Sequence, residues 1–228
     1  MKKVDTLIAS DIHLGSGVSR SDVLIETLKE YEYKKLILLG DIFDDLNFSR
    51  FKNKDWDFLS YIRNLSNQNT GVEVIWIAGN HDELLTTVMS YLLGIPVLSE
   101  YQWEYQGEKY LAIHGHQFDN FMINNKIISE VASIFYKFLQ KIDLKKHRFS
   151  RFIKRMSKSW LRISEEIADK ALHYGKEKGV QKIFCGHTHQ SLFRKKEDIE
   201  YYNTGCWTDI PSTYIVINEQ GICIKEIK

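Results

Sequence analysis

The stretch Leu36-Ile37-Leu38-Leu39-Gly40-Asp41-Ile42-Phe43-Asp44 decides how this chain folds. Four consecutive apolar residues read as a short buried strand. Gly40 cuts it off and allows a tight exit, because it has no side chain to obstruct the turn. The same grammar recurs on either side. Val4 to Ala9 reads as a buried strand ending at Ser10-Asp11, and Val72 to Ala78 is an apolar run ended by Gly79-Asn80. Between them, Asp22 to Tyr31 carries apolar residues at Val23, Ile25 and Leu28, and Trp56, Leu59, Ile62 and Leu65 keep helical spacing. The order β-α-β-α-β predicts a parallel sheet with helical crossovers. In such sheets ligands gather beyond the carboxyl ends of the strands, where the polar residues fall here.

Beyond Ile95 the pattern changes. Gln102 to Tyr105 and Lys109 to Ile113 predict a hairpin around Gln106-Gly107-Glu108. Lys182 to Cys185, Ser191 to Lys195, Glu200 to Asn203, Thr213 to Ile217 and Ile222 to Ile227 read as short strands of a second, more antiparallel sheet. Residues from about 120 to 178 break this rhythm with helical stripes, one through Val131, Ile134, Phe135, Phe138, Leu139 and Ile142. That interval reads as a helical insertion within one domain spanning 1–228.

Composition sets outer bounds. A chain of 228 residues with 43% apolar and 27% charged residues suits one soluble α/β domain, and a net charge of +1 gives no global signal for nucleic acid or membrane. Cys185, Cys206 and Cys223 are odd in number and lack C-x-x-C spacing, which argues against a disulfide framework or a zinc ribbon. With neither a leader-like apolar segment nor a run of transmembrane length, the expected location is cytoplasmic, with only peripheral contact at the inner face of a membrane.

Five polar blocks carry the chemistry: Asp11-Ile12-His13, Gly40 to Asp44, Gly79-Asn80-His81-Asp82, His114-Gly115-His116 and Gly186-His187-Thr188-His189. They hold six of the eight histidines. Strand alternation predicts that Asp11 and His13 point to the same side, and so do His187 and His189. Asp41 offers two oxygens, enough to bridge two ions about 3.5–4 Å apart. Asn80 adds a neutral amide oxygen where a further carboxylate would add excess negative charge. Asp11, His13, Asp41, Asn80, His114, His187 and His189 thus form a mixed oxygen and nitrogen ligand set for two divalent metals. The set suits manganese first, with iron or zinc as alternatives. His81 is left over as a general acid. Asp44 and Asp82 are expected to orient imidazoles. His116 approaches either the second metal or the substrate.

The blocks resemble the pattern D-x-H, G-D-x-x-D, G-N-H-[DE], H and G-H-x-H of the calcineurin-like metallophosphoesterases, matched from Asp11 to His189. The resemblance implies a four-layer α/β/β/α metallophosphoesterase sandwich with a helical cap insertion. It places Asp11, His13, Asp41 and His189 on one metal and Asp41, Asn80, His114 and His187 on the other. It also implies two-metal hydrolysis at phosphorus. Within that family the chain is similar to bacterial UDP-2,3-diacylglucosamine pyrophosphatases of the lipid A pathway. The segments that carry this likeness are Ser10 to Gly15, Gly40 to Asp44, His114 to Asp119 and Asn203 to Trp207. The chain departs from the better-known branch at His81, where that branch has arginine, and at His116, where it has aspartate. A sister branch does carry G-N-H-D.

The insertion is where those enzymes carry a lipid-holding cap. Its basic run from Lys137 to Arg162 fits a solvated face on a packed helix. It also fits a surface for an anionic substrate or anionic lipid, and the position between two motif-bearing strands favours the second. On that reading Arg148, Phe149, Arg151, Phe152, Arg155 and Trp160 contact substrate. The expected substrate is a nucleotide-linked glycolipid or another phosphorylated small molecule. The rivals are a soluble nucleotide phosphodiesterase or phosphatase, and a metal-free scaffold. No nucleic-acid partner is expected, since no binding motif of that class is present.

Overall fold

The computed structural model describes residues 1–83, 86–119 and 150–228. Its first part runs β1 (Lys2–Lys3), β2 (Thr6–Ala9), α1 (Ser21–Lys29), β3 (Tyr31–Glu32), β4 (Lys35–Leu39), α2 (Asn53–Leu65), β5 (Glu73–Ile77), α3 (Thr86–Leu93) and β6 (Val97–Leu98). A hairpin follows, β7 (Glu100–Tyr105) and β8 (Glu108–Ile113), and later a long helix, α4 (Ser150–Lys178). The chain ends in β9 (Lys182–Cys185), β10 (Ser191–Lys196), β11 (Ile199–Thr204), β12 (Ser212–Asn218) and β13 (Gly221–Ile227).

Two sheets hold the fold. One has six strands in the order β13-β12-β2-β4-β5-β6, the other five in the order β10-β11-β9-β8-β7. β2, β4, β5 and β6 are mutually parallel, as the β-α-β-α-β reading predicts. Leu36, Ile37, Leu38 and Leu39 are all fully buried, and alternation explains why. Leu36 and Leu38 join a core with Leu24 and Leu28 of α1, Phe58 and Ile62 of α2 and Met89 of α3. Ile37 and Leu39 face the other way, into a core shared with Tyr110, Ala112, Phe184 and Tyr202 of the second sheet. The outer face of that sheet, through Leu111, Ile113, Ile183 and Tyr201, packs on Ala168, Ala171 and Leu172 of α4. The result is the four-layer α/β/β/α sandwich.

One expectation needs correction. β12 and β13 do not join the second sheet: β12 pairs antiparallel with β2, Ile215 opposite Ile8 and Ile217 opposite Thr6. Pairing there covers the edge that β2 would otherwise expose. The second sheet is also less antiparallel than expected, because β9 runs parallel to both β8 and β11.

Arg148 and Phe149 lie outside the described residues. Arg151, Phe152, Arg155 and Trp160 fall on the first turns of α4, with their side chains outside the described part. Of the expected insertion from about 120 to 178, residues 120–149 also lie outside it. No helix among the described residues is long and apolar enough to cross a membrane.

Candidate metal centre

All five blocks leave the carboxyl ends of strands: β2, β4, β5, β8 and β9. The turns are tighter than strand alternation predicts. Asp11, His13, Asp41, His187 and His189 have φ of 52°, 50°, 51°, 67° and 56°, in the left-handed region that side-chain-bearing residues rarely occupy. Asp11 and His13 therefore share a side because the backbone is coiled, and not because a strand continues. Such strain costs on the order of 1–3 kcal/mol per residue and persists only where surrounding structure enforces it.

Backbone donors enforce it here. Asp11 Oδ2 accepts from the Ser10 hydroxyl and from the His187 amide at 3.0 Å. Its other oxygen, Oδ1, is buried without a hydrogen bond and lies 3.3 Å from His189 Nε2. His189 Nε2 is in turn 3.1 Å from His13 Nε2. Three lone-pair atoms thus converge, at spacings close to the roughly 3.3 Å that separates ligands around a small tetrahedral cation. Asp11, His13 and His189 form one potential metal group, and Asp41, His114 and His187 form a second, each with its ligand atoms within 4.8 Å of one another.

The second group is oriented in the same manner. His114 Nδ1 donates to the Leu39 carbonyl at 2.8 Å, and a carbonyl can only accept, so the lone pair is confined to Nε2. That nitrogen is 3.3 Å from Asp41 Oδ2 and has no hydrogen bond. Asp41 Oδ1 accepts the His81 amide at 2.9 Å. Asn80 Oδ1 is buried and also lacks a hydrogen-bond partner. Buried polar atoms left orphaned are costly, and here Asp11 Oδ1, Asn80 Oδ1 and His114 Nε2 belong to residues chosen for ligation from the sequence. The donor set therefore fits divalent cations.

Charge points the same way. Burial opposes ionisation of Asp41, but His114 and His81 more than offset it, and the carboxyl is held well below its usual range. Burial raises the Asp11 carboxyl, yet His189 holds it below its usual value. Burial would lower His114, but Asp41 raises it to about 9, and Asp11 likewise lifts His189 well above its ordinary value. Burial, followed by His189, lowers His13 to about 4. The two carboxylates demand positive charge at the centre of the cluster.

The remaining blocks divide. His81 Nδ1 donates to the Asp44 carbonyl at 2.7 Å, since a carbonyl can only accept. Asp44 lies among the imidazoles: Oδ1 is 3.7 Å from His13 Nδ1, and its carbonyl accepts from His81 Nδ1. Asp82 does not. Its buried carboxylate accepts from the amides of Ile42 and Phe43 at 3.1 Å and of Gly79 at 3.2 Å, so it ties two loops together and orients no imidazole. Burial and the nearby Asp41 raise it to about 6 against those bonds. His116 Nε2 faces Glu83 at 3.4 Å, with its ring 5.4 Å from that of His114. Burial and the His114 charge lower it to about 3.

Sequence reading missed Asp119, whose buried Oδ2 is 3.1 Å from His187 Nε2, although H-G-H-x-x-D spacing placed it nearby. It also missed Ser10, since a hydroxyl beside a ligand carries no local signal.

The sequence profile of the calcineurin-like phosphoesterases matches residues 5–191. No curated protein matches the chain in sequence. Among solved structures, the fold is similar to Yfce, a phosphoesterase from E. coli, at 16% identity and a TM-score of 0.52, covering 98% of this chain and 99% of that one. An archaeal phosphodiesterase is similar at 14% identity and a TM-score of 0.51, covering 97% and 99%. Vps29 from Chaetomium thermophilum is similar at 9% identity and a TM-score of 0.51, covering 97% and 96%.

Proposed function

The chain belongs to the calcineurin-like phosphoesterase family, metal-dependent hydrolases of phosphoester bonds, and from that premise we propose that it cleaves the pyrophosphate of a nucleotide-linked glycolipid such as UDP-2,3-diacylglucosamine. The observation that carries the hydrolytic reading is the convergence of buried, unpartnered donor atoms in two groups. Asp11, His13 and His189 would hold one divalent ion and Asp41, Asn80, His114 and His187 the other, with Asp41 proposed to serve both as the family pattern implies. Manganese is the first candidate, on the mixed oxygen and nitrogen ligation. When bound, such ions supply Lewis acidity and a nucleophile from water at neutral pH.

The protein residues do the rest. Two divalent ions would bring four positive charges to a cluster that contains the carboxylates of Asp11 and Asp41, which suits an anionic phosphate or pyrophosphate. His81, fixed at Nδ1 by the Asp44 carbonyl, presents Nε2 as the proton donor to the departing oxygen. The Asp82 carboxylate holds the amides of residues 42, 43 and 79 so that Asp41 and Asn80 stay in place.

Support for a lipid-bearing substrate is the distribution of exposed apolar side chains. Val18, Leu46, Val88, Tyr91 and Leu92, between 41% and 85% exposed, lie on the segments that follow the motif strands β2, β4 and β5. Large apolar groups left in water on these segments suit acyl chains better than a free nucleotide. The test is turnover with manganese of an acylated UDP-sugar against a soluble phosphodiester. Preference for the soluble diester, unaffected by detergent, would replace the lipid reading with a nucleotide phosphodiesterase.

A second reading is a binding scaffold, because the fold also occurs in Vps29. Retention of all seven candidate ligands and His81 argues against it. A chain that binds no manganese and hydrolyses no phosphoester would establish the scaffold instead.

A further inference from the structure

Arg50 stands beside the candidate metal centre without belonging to either ligand group. Its Nη1 donates to Asp44 Oδ2 at 2.6 Å and also to Asp45. The opposite oxygen of Asp44 is the one that faces His13 Nδ1 at 3.7 Å. The Asp44 carbonyl is the group that receives His81 Nδ1 at 2.7 Å. Asp44 therefore hydrogen-bonds the proposed acid and stands 3.7 Å from a nitrogen of a proposed metal ligand, and Arg50 is clamped to that residue.

The surrounding loop keeps the clamp in place. Arg50 closes a short 3-10 turn, Phe48–Arg50, whose start is capped by the Asn47 side chain accepting the Ser49 amide at 3.2 Å. The rings of Phe48 and Phe51 pack 5.8 Å and 6.0 Å from Phe43, and 5.2 Å from each other. Phe51 also abuts Gly15, where a Cβ would come within 3.2 Å of the ring. Arg50 is thus flanked on both sides by partly buried aromatic rings packed on Phe43 and on the loop that follows His13.

Charge separates two roles open to such an arginine. A guanidinium that binds substrate phosphate needs an excess of positive charge facing the phosphate. Nη1 of Arg50 instead lies between two carboxylates, Asp44 and Asp45, which hold this end of the guanidinium. The side chain is also only 31% exposed. Contact with an anionic substrate is disfavoured, and action through Asp44 is favoured.

We propose that Arg50 is a positioning residue that works through Asp44. It holds the carboxylate that stands beside His13 Nδ1 and limits turning of the ring, so that His13 Nε2 stays toward His189. It also fixes the carbonyl that keeps the His81 Nδ1 hydrogen in place. A single cation thereby sets one ligand ring and the acid ring together. The proposal rests on the two-metal reading given under Proposed function.

The test is calorimetric titration with Mn²⁺ of the wild-type chain, Arg50→Ala, Arg50→Lys, Asp44→Ala and the double variant Asp44→Ala/Arg50→Ala, with thermal unfolding and turnover of a soluble phosphodiester measured alongside. Arg50→Ala is expected to weaken Mn²⁺ binding by about 10–100-fold, the usual effect of removing a group that orients a ligand. The kcat should fall while KM for the diester moves less than about two-fold, because no substrate contact is lost. The loss should vanish in the Asp44→Ala background, as expected of two residues acting along one chain of contacts. Arg50→Lys should fall between wild type and Arg50→Ala, and it carries the comparison if Arg50→Ala does not fold. Wild-type Mn²⁺ affinity in the Arg50 variants would overturn the proposal. So would a raised KM at unchanged affinity, or an equal loss with Asp44 already removed. Failure of the wild-type chain to bind Mn²⁺ at all would instead overturn the two-metal reading, and the proposal with it.

Discussion

Gly79 lies so close to Asp41 that position 79 admits no side chain: a Cβ there would fall within 3.0 Å of both the Asp41 amide nitrogen and its carboxylate Oδ1. The strand end before Asn80 is pressed onto the residue proposed to serve both metals. The same closeness recurs at Gly186, whose Cβ would meet the Asp11 carboxylate and the Ser10 hydroxyl. The metal centre is built where backbone replaces side chain.

Gly79→Ala should therefore displace Asp41 or push the Asn80 loop outward. Overpacking of this kind costs about 1–3 kcal/mol. Thermal unfolding should show that loss, and Mn²⁺ titration should show weaker binding. Unchanged Mn²⁺ affinity would mean that the loop yields without moving a ligand.

His81→Ala should reduce kcat by about 10²–10⁴-fold, the usual worth of a positioned acid, while leaving Mn²⁺ stoichiometry intact. The defect should shrink for substrates whose leaving oxygen is already a stable anion, such as a nitrophenolate. A defect of equal size for good and poor leaving groups would contradict the assignment of proton donation to His81.

Metal removal should be read in stability as well as turnover. Binding to the folded chain alone stabilises it by about 2.7 kcal/mol per site at 100 times the dissociation constant. For a chain of this length each kcal/mol moves Tm by roughly 2–4 °C. Chelation should lower Tm accordingly and readdition of Mn²⁺ should restore it; a Tm indifferent to both would place no ion in the fold.

Acid should expose a different part of the molecule. Burial works against ionisation of Glu200, yet Lys182 at 2.8 Å, Lys195 at 2.9 Å and the Tyr202 hydroxyl at 2.8 Å more than offset it and hold the carboxyl at about 2. Because the folded value lies below the ordinary one of about 4.3, the stabilisation is fully present above that pH. It is lost progressively as pH falls toward the folded value. Urea unfolding between pH 5 and pH 2 should show a smaller acid loss for Glu200→Gln than for wild type; parallel curves would remove Glu200 from the account.

Much of this was legible in the sequence because each ligand sits in a short local pattern at the end of an apolar run. Leu36 to Leu39 announces both the strand and, through Gly40-Asp41, the ligand that follows it. What stayed hidden depends on contacts distant in sequence. The Leu39 carbonyl fixes the His114 tautomer from 75 positions away, and nothing in the local spelling marks a carbonyl as an acceptor. β12 and β13 read correctly as strands, but alternation cannot say which sheet they join; the open edge of β2 decides that. Asp82 was misread because G-N-H-D suggests a partner for an imidazole, whereas the fold brings three backbone amides to its carboxylate. The left-handed φ values at Asp11 and His13 were hidden as well, since strand-like spelling runs up to the turn without marking where the backbone coils.

The most direct test of the central claim is the number of Mn²⁺ ions bound per chain at saturation, measured by equilibrium binding with phosphodiester turnover followed in the same samples. The account predicts two ions, activity that disappears on chelation, and recovery that tracks occupancy of the second ion. Full turnover in the chelated protein, or no saturable Mn²⁺ binding, would contradict it.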